Sequence, residues 1–349
     1  MKYENVNIEA FEYTLPDEVL TTTELEQRLE PVYERLKLPQ GRLELLTGIK
    51  ERRLWPGGML PGDQSVRTCR KLLDSTAIDP NKIGALIHGS VCRDYLEPAT
   101  ACGVHRRLSL PSACTIFDIS NACLGIVTAM VQIANMIELG EIEAGIVVGT
   151  ESSRSLTEST INFLNTNLSV DRKNIKKAFA SLTIGSGSAA VLLTNRKISQ
   201  SGMRLCGGVV HSNSDFSGLC QSDTDQSGGD AMSPLMWTDS ETLMVEGVKT
   251  AKTAFDRFRN ILGWKADEIG TFFCHQVGKA HQQLLFDSLE LPMEKNFATL
   301  EYLGNTGSVA MPTAAAIGLE QKIVPQGEKF ALMGIGSGIN VVMLGVQHA

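Results

Sequence analysis

Four stretches of the chain carry residues that can do chemistry together. Phe117-Asp118-Ile119-Ser120-Asn121-Ala122-Cys123-Leu124-Gly125 is a short β-like run closing on small residues and one cysteine, and Phe272-Phe273-Cys274-His275-Gln276-Val277 ends an apolar run on a histidine. Tyr302-Leu303-Gly304-Asn305-Thr306-Gly307-Ser308 sets an asparagine between glycines. In Gly334-Ile335-Gly336-Ser337-Gly338, consecutive small residues let backbone N–H groups approach a ligand closely. Jointly these supply a nucleophile (Cys123), two side-chain donors (His275, Asn305) and an oxyanion nest, the parts needed for acyl transfer through a thioester. Gly304 and Gly336 are the places where substrate can lie against the main chain. Each stretch also has a plain structural reading: an inert buried cysteine, a core histidine bonded to a carbonyl, a turn asparagine and a hairpin turn.

The elements around them follow from periodicity. After Cys123 the apolar residues run from Leu124 to Ala134 without a charge until Glu138, which predicts a helix buried on most sides with Cys123 in its first turn. There the unpaired N–H groups and the helix dipole would favour the thiolate. His275 ends a hydrophobic strand, from which a side chain reaches over a sheet edge into a cleft.

Two further features are weaker. Glu97 precedes Pro98, which puts it in extended or turn backbone, flanked by Leu96; an apolar, closed setting would raise its pKa, and a surface loop is the plain alternative. Arg52 and Arg53, in Lys50-Glu51-Arg52-Arg53, read either as a solvated face or as a contact for a phosphate-bearing ligand.

Composition excludes several classes. A net charge of -7 with one short basic cluster argues against non-specific nucleic-acid binding. Residues 1–20 carry five acidic groups and no apolar h-region, and no stretch reaches the length of a membrane span, so a cytoplasmic protein is expected. The eight cysteines show neither a CxxC pair nor zinc spacing, so no metal site is expected. Thr183-Ile184-Gly185-Ser186-Gly187-Ser188 enters a strand rather than a helix, which disfavours dinucleotide binding, and no GxSxG elbow is present.

The 349 residues suffice for two core-sized units. Residues 5–14 alternate as a strand, Thr21–Glu24 can cap a helix towards Leu36 that Pro31 breaks, and Glu151–Ala180 reads as a long polar helical region. From Leu205 the second half repeats the logic of the first, with a polar glycine-rich loop at 213–234. Glu143–Glu151 and Lys329–Ser337 are matching strands of a weak internal repeat, which places a division at 1–198 and 199–349.

The ordered motifs NACLG, CHQVG, GNTGS and GIGSG resemble the thiolase superfamily, in the branch like 3-oxoacyl-(acyl-carrier-protein) synthase III, over essentially the whole chain. The resemblance implies an α/β thiolase fold of two fused ααβαβα halves in five layers, an obligate homodimer, no cofactor, and a triad of Cys123, His275 and Asn305. It also implies an oxyanion held by the backbone at Cys123 and near Ser337. Decarboxylating synthases of this branch carry an aromatic residue before the proline where this chain has Glu97. CRDYLEPATAC and GIKERRLW are instead similar to the group that condenses two long-chain fatty acyl-CoA molecules head to head.

In that group Glu97 would be the base, reaching the partner subunit's active site, the product would be a 2-alkyl-3-oxo acid, and enzymes of long-chain hydrocarbon synthesis would act downstream. Two alternatives stand beside it: a malonyl-dependent decarboxylating synthase with Glu97 as a tunnel residue, and a non-catalytic acyl-binding subunit. The branch's Trp and Arg that sandwich the CoA adenine are absent before Thr47-Gly48-Ile49, where Arg42 and Leu46 stand, so a carrier-protein donor stays open.

Overall fold

Buried runs of β-branched and small apolar residues form the centre of the molecule. The computed structural model describes residues 1–222 and 235–349. Ten strands make one sheet: β1 (Val6–Thr14), β2 (Ile83–Gly89), β3 (Thr115–Ile119), β4 (Ala144–Glu151), β5 (Gly187–Asn195), β6 (Met203–Ser212), β7 (Ile269–Cys274), β8 (Asn296–Phe297), β9 (Lys329–Gly336) and β10 (Asn340–His348). Their order, β8-β7-β9-β10-β6-β1-β5-β4-β2-β3, reads as the same pattern from either edge. In each half three strands are parallel and two antiparallel, and bridges such as Asn7 to Arg204, Lys2 to Gly207 and Ile184 to Asn305 join the halves.

Six helices cover this sheet: α1 (Pro61–Asp74), α2 (Thr100–Leu108), α3 (Gly125–Glu138), α4 (Ser240–Leu262), α5 (Lys279–Leu289) and α6 (Ala310–Glu320). One core joins α3 and α6, through Ile126, Met130, Ile133, Ala314 and Ala315, to residues of both halves such as Leu193 and Phe330. A second sets Val66, Cys69 and Val104 of α1 and α2 against Leu86 and Ile146. A third sets Phe255, Phe258 and Phe286 of α4 and α5 against Phe272 and Met333. The two five-stranded halves of the sheet form separate layers, giving helix, half-sheet, helix, half-sheet, helix: the thiolase fold. A fourth core under the helices Thr22–Arg28, Glu30–Leu36, Arg154–Thr166 and Ile175–Phe179 roofs one end.

The structure refines the sequence expectations. Thr21 and Glu24 form a capping box, and the chain breaks at Leu29, with Pro31 in the first turn of the next helix. Glu151 ends β4 instead of opening a helix, and the region after it splits into two helices. The repeat is offset by one residue: Ile83 pairs Ala144 and Ile269 pairs Lys329, each followed by a register shift at an Ile-Gly pair. Ala144, not Glu143, therefore matches Lys329, and Glu151 matches Gly336. Of the expected glycine-rich loop, Ser214–Leu219 is a 3-10 turn and Cys220–Ser222 pairs with Met236–Thr238; residues 223–234 lie outside the described residues. Among the described residues no helix is long and apolar enough to cross a membrane.

Candidate active site

The chemistry-bearing residues gather beyond the carboxyl ends of the parallel strands, where open α/β sheets place their ligands. Cys123 follows β3, Glu151 ends β4, His275 follows β7 and Gly336 ends β9.

The Cys123 turn is wedged in place. Gly125 lies so close to β2 that a Cβ there would stand 2.7 Å from the Gly89 carbonyl carbon. Leu124 packs on the end of β9, where a Cβ at Gly336 would come within 2.9 Å of it, so the Gly334–Gly338 run is held against the cysteine turn. Asn340 Nδ2 donates to Asn121 Oδ1 at 3.0 Å, and Asn121 Nδ2 to Thr128 Oγ1 at 2.9 Å. Ser337 is half-buried, and its carbonyl lies 3.5 Å from Asn340 Nδ2.

The helix begins at Gly125, two residues later than expected, so Cys123 precedes its first turn. The thiol is pushed up to about 12 by burial first, then by the negative charge of Glu151 and by Cys220, with its own amide opposing. The expectation that the helix end favours the thiolate is therefore corrected: desolvation of the anion outweighs the helix end.

His275 is buried, and its amide donates to the Met333 carbonyl at 2.9 Å. Burial lowers its pKa to about 3, helped by neighbouring His281. The Gly307 backbone lies near enough to oppose this, without a hydrogen bond of normal geometry to either ring nitrogen. The ring is thus neutral and unpaired, a free donor–acceptor inside the site. Asn305 is held from three sides: its amide donates to the Thr183 carbonyl at 2.9 Å, its carbonyl accepts from Gly185 at 2.8 Å, and Oδ1 accepts from the Gly307 amide at 3.0 Å. With Oδ1 engaged, Nδ2 is the group left to donate to a ligand.

Other expected contacts fall elsewhere. Arg52 is 1 % exposed; it donates to Thr22 Oγ1, and burial lowers its pKa to about 10, so it is no surface contact for phosphate. Gly304, at φ +68, faces the Thr183 carbonyl and the Arg52 stem, where a Cβ would meet atoms at 2.8 and 3.2 Å; it shapes the Asn305 turn instead of lining a ligand. Arg53 is half-buried and donates to the Pro16 carbonyl. Glu97 is exposed in the loop between β2 and α2, beside exposed Val91, Tyr95 and Leu96. No hydrogen bond from it to its own chain's Cys123, His275 or Asn305 is seen. Among the described residues no His, Cys, Asp and Glu group could hold a metal.

Sequence reasoning missed Glu151, Cys220 and His281. Glu151 was legible in principle, as a charge closing an eight-residue buried strand at the sheet end that also carries His275.

With this geometry in hand, the relatives are informative. Residues 63–196 match the thiolase N-terminal domain, and residues 260–347 match the 3-oxoacyl-[acyl-carrier-protein (ACP)] synthase III C terminal. The acyl-CoA:acyl-CoA alkyltransferase of Shewanella oneidensis is 38% identical over 99% of this chain and 100% of its own. The chain belongs to the OleA family. Its counterpart in Xanthomonas campestris is 33% identical over 98% of both chains. A crystal structure of Xanthomonas campestris OleA with bound lauric acid and lauroyl-CoA superposes with a TM-score of 0.92 at 32% identity, covering 99% of each chain. Membership of the OleA family makes this chain a thiolase-fold condensing acyltransferase.

Proposed function

We propose that this chain condenses two long-chain fatty acyl-CoA molecules head to head, without decarboxylation, to a 2-alkyl-3-oxo acid. The observation that carries the reading is the neutral, buried and unpaired His275 near the Asn305–Gly307 turn, at the same end of the sheet as Cys123. Neutral donors suit a thioester carbonyl that becomes an enolate, because they stabilise charge as it develops without neutralising a resting anion. The names of the OleA relatives and the lauroyl-CoA held by one of them support acyl-CoA as substrate.

In the first stage the Cys123 sulfur attacks the carbonyl of one acyl-CoA. His275 takes the thiol proton, backbone N–H groups at Cys123 and near Ser337 hold the oxyanion, and CoA leaves as its thiol. In the second stage the carbonyl of another acyl-CoA lies against His275 and Asn305. Glu97 of a second copy removes the α-proton, and the enolate carbon attacks the Cys123 thioester, forming the carbon–carbon bond and releasing the thiolate. Hydrolysis of the remaining thioester yields the acid and free CoA. Glu97 suits this role because no malonyl group is present to lose CO₂, and the exposure of Val91, Tyr95 and Leu96 in its loop supports contact with a second copy.

The test is incubation of purified protein with a long-chain acyl-CoA alone, with Glu97→Ala in parallel and products read by mass spectrometry. A 2-alkyl-3-oxo acid, or the ketone left when it loses CO₂, absent from the variant, is the expected result. Product that forms only when malonyl thioester is added would overturn the reading.

A further inference from the structure

Glu151 is 5% exposed at the end of β4, and its carboxylate collects donors from two separate loops. Oε1 accepts from the Val91 amide at 3.1 Å, from the Ser308 amide at 3.4 Å and from Ser308 Oγ; Oε2 accepts from the Cys92 amide at 3.4 Å. Val91 and Cys92 open the loop that carries Glu97. Ser308 and Gly307 follow Asn305, and a Cβ at Gly307 would stand 3.2 Å from Glu151 Cγ. On the main-chain side, Trp55 Nε1 donates to the Glu151 carbonyl at 3.1 Å. Three of these donors converge on Oε1 and one on Oε2. A glutamine would turn an NH₂ group towards one of those donors.

We propose that Glu151 is a positioning residue of the condensation site: its single carboxylate fastens the loop carrying Glu97 to the loop carrying Asn305, beside the Cys123 turn. Its role in turnover rests on the function proposed above. Its effect on the thiol does not.

Charge and reach make separate contributions. Besides burial, Glu151 and Cys220 hold the Cys123 thiol protonated and its own amide opposes them, while neighbouring His275 is neutral and adds no charge. The groups facing Glu151 are the three amides, the Ser308 hydroxyl and the Cys92 thiol, which burial and Glu151 both push up. Removing the charge therefore eases ionisation of Cys123. Shortening the side chain keeps the charge and loosens the loops.

The experiment measures alkylation of the Cys123 peptide by iodoacetamide against pH, with no substrate present, beside kcat and KM for acyl-CoA condensation. Glu151→Gln is expected to move the alkylation midpoint to lower pH, so that below it alkylation runs about tenfold faster, the change that one pH unit makes. Its kcat is expected to fall about tenfold or more while KM holds within about twofold, as for an interaction realised after binding. Glu151→Asp is expected to keep the wild-type alkylation profile and still lose kcat.

The proposal is overturned if Glu151→Gln leaves the alkylation profile unmoved, or if Glu151→Asp shifts it as far as Glu151→Gln does. Ser308→Ala tests the same contact from the other loop and guards against a glutamine variant that does not fold. With one donor fewer, the carboxylate bears more strongly on the thiol and alkylation moves to higher pH; an unmoved profile contradicts the account. Because alkylation needs no acyl-CoA, a mistaken substrate would leave this outcome intact.

Discussion

Two turns of this molecule occupy equivalent places in its two halves, and only one of them holds a reactive group. Ahead of α3, the Leu124 amide donates to the Asn121 carbonyl at 2.9 Å and Gly125 to Ala122 at 3.3 Å; ahead of α6, Val309 donates to Thr306 at 3.2 Å and Ala310 to Gly307. Ala122 has φ +45 and Gly307 φ +57, so the left-handed residue falls at the same step. Cys123 thus corresponds to Ser308. The thiol is left to the site, whereas the serine hydroxyl is bound to Glu151. The strand ends explain the split. β9 ends in Gly336, against which Leu124 packs, and β4 ends in Glu151, whose carboxylate reaches under Gly307 and Ser308. One backbone device, used twice, presents a thiol in one half and supports the Asn305 turn in the other.

The largest effect comes from erasing that difference. Cys123→Ser gives the first turn the chemistry of the second, and condensation is expected to fall by about a thousandfold or more, because a hydroxyl ionises far less readily than a thiol. Product formation per hour checks it. Next is Gly125→Ala. Its Cβ would meet the Gly89 backbone at 2.7–2.8 Å, and denaturant unfolding is expected to show a loss of about 1–3 kcal/mol or more. The equivalent position already holds Ala310, and Ala310→Gly is expected to cost no more than about 1 kcal/mol.

A finer comparison lies at the left-handed step. Gly307→Ala adds strain at φ +57 and a contact at 3.2 Å with Glu151, for about 1–2 kcal/mol. Ala122→Gly relieves the same strain and should be neutral or stabilising within about 1 kcal/mol.

Acid sensitivity belongs to one half alone. His275 and His281 are lowered by burial from 6.5 to about 3 and about 4. For a base whose folded pKa lies below its unfolded one, the unfolded chain binds the proton first. Stability is therefore complete above about 6.5 and declines as pH falls towards 4. Thermal melts across that window, flatter in His281→Gln, check it.

Cys123, His275 and Asn305 stood out in sequence by their settings, a histidine ending the apolar run Phe272–Cys274 and an asparagine between Gly304 and Gly307, and the family resemblance grouped them. What failed did so for physical reasons. Arg52 was taken for a surface cation, yet in the four-residue strand Glu51–Leu54 it shares its face with Leu54 and turns inward. The thiolate was inferred from the helix end alone, and burial, which a sequence does not display, dominates. The repeat was offset by one residue because the two strings were matched by likeness of sequence, whereas strand pairing sets Ala144 and Lys329 at the same step, opposite Ile83 and Ile269. Glu97 is flanked by Leu96 and Pro98 in sequence, yet the fold leaves its loop exposed, Val91, Tyr95 and Leu96 included.

The most direct test of the account is to expose Glu97→Ala, which should acylate without condensing, to one long-chain acyl-CoA, quench it, and map the adduct by peptide mass spectrometry. The account predicts one acyl group, added on the peptide that contains Cys123 and lost in a Glu97→Ala/Cys123→Ala double variant. An adduct on Ser308, on another cysteine, or none at all while wild-type protein still forms product would contradict it.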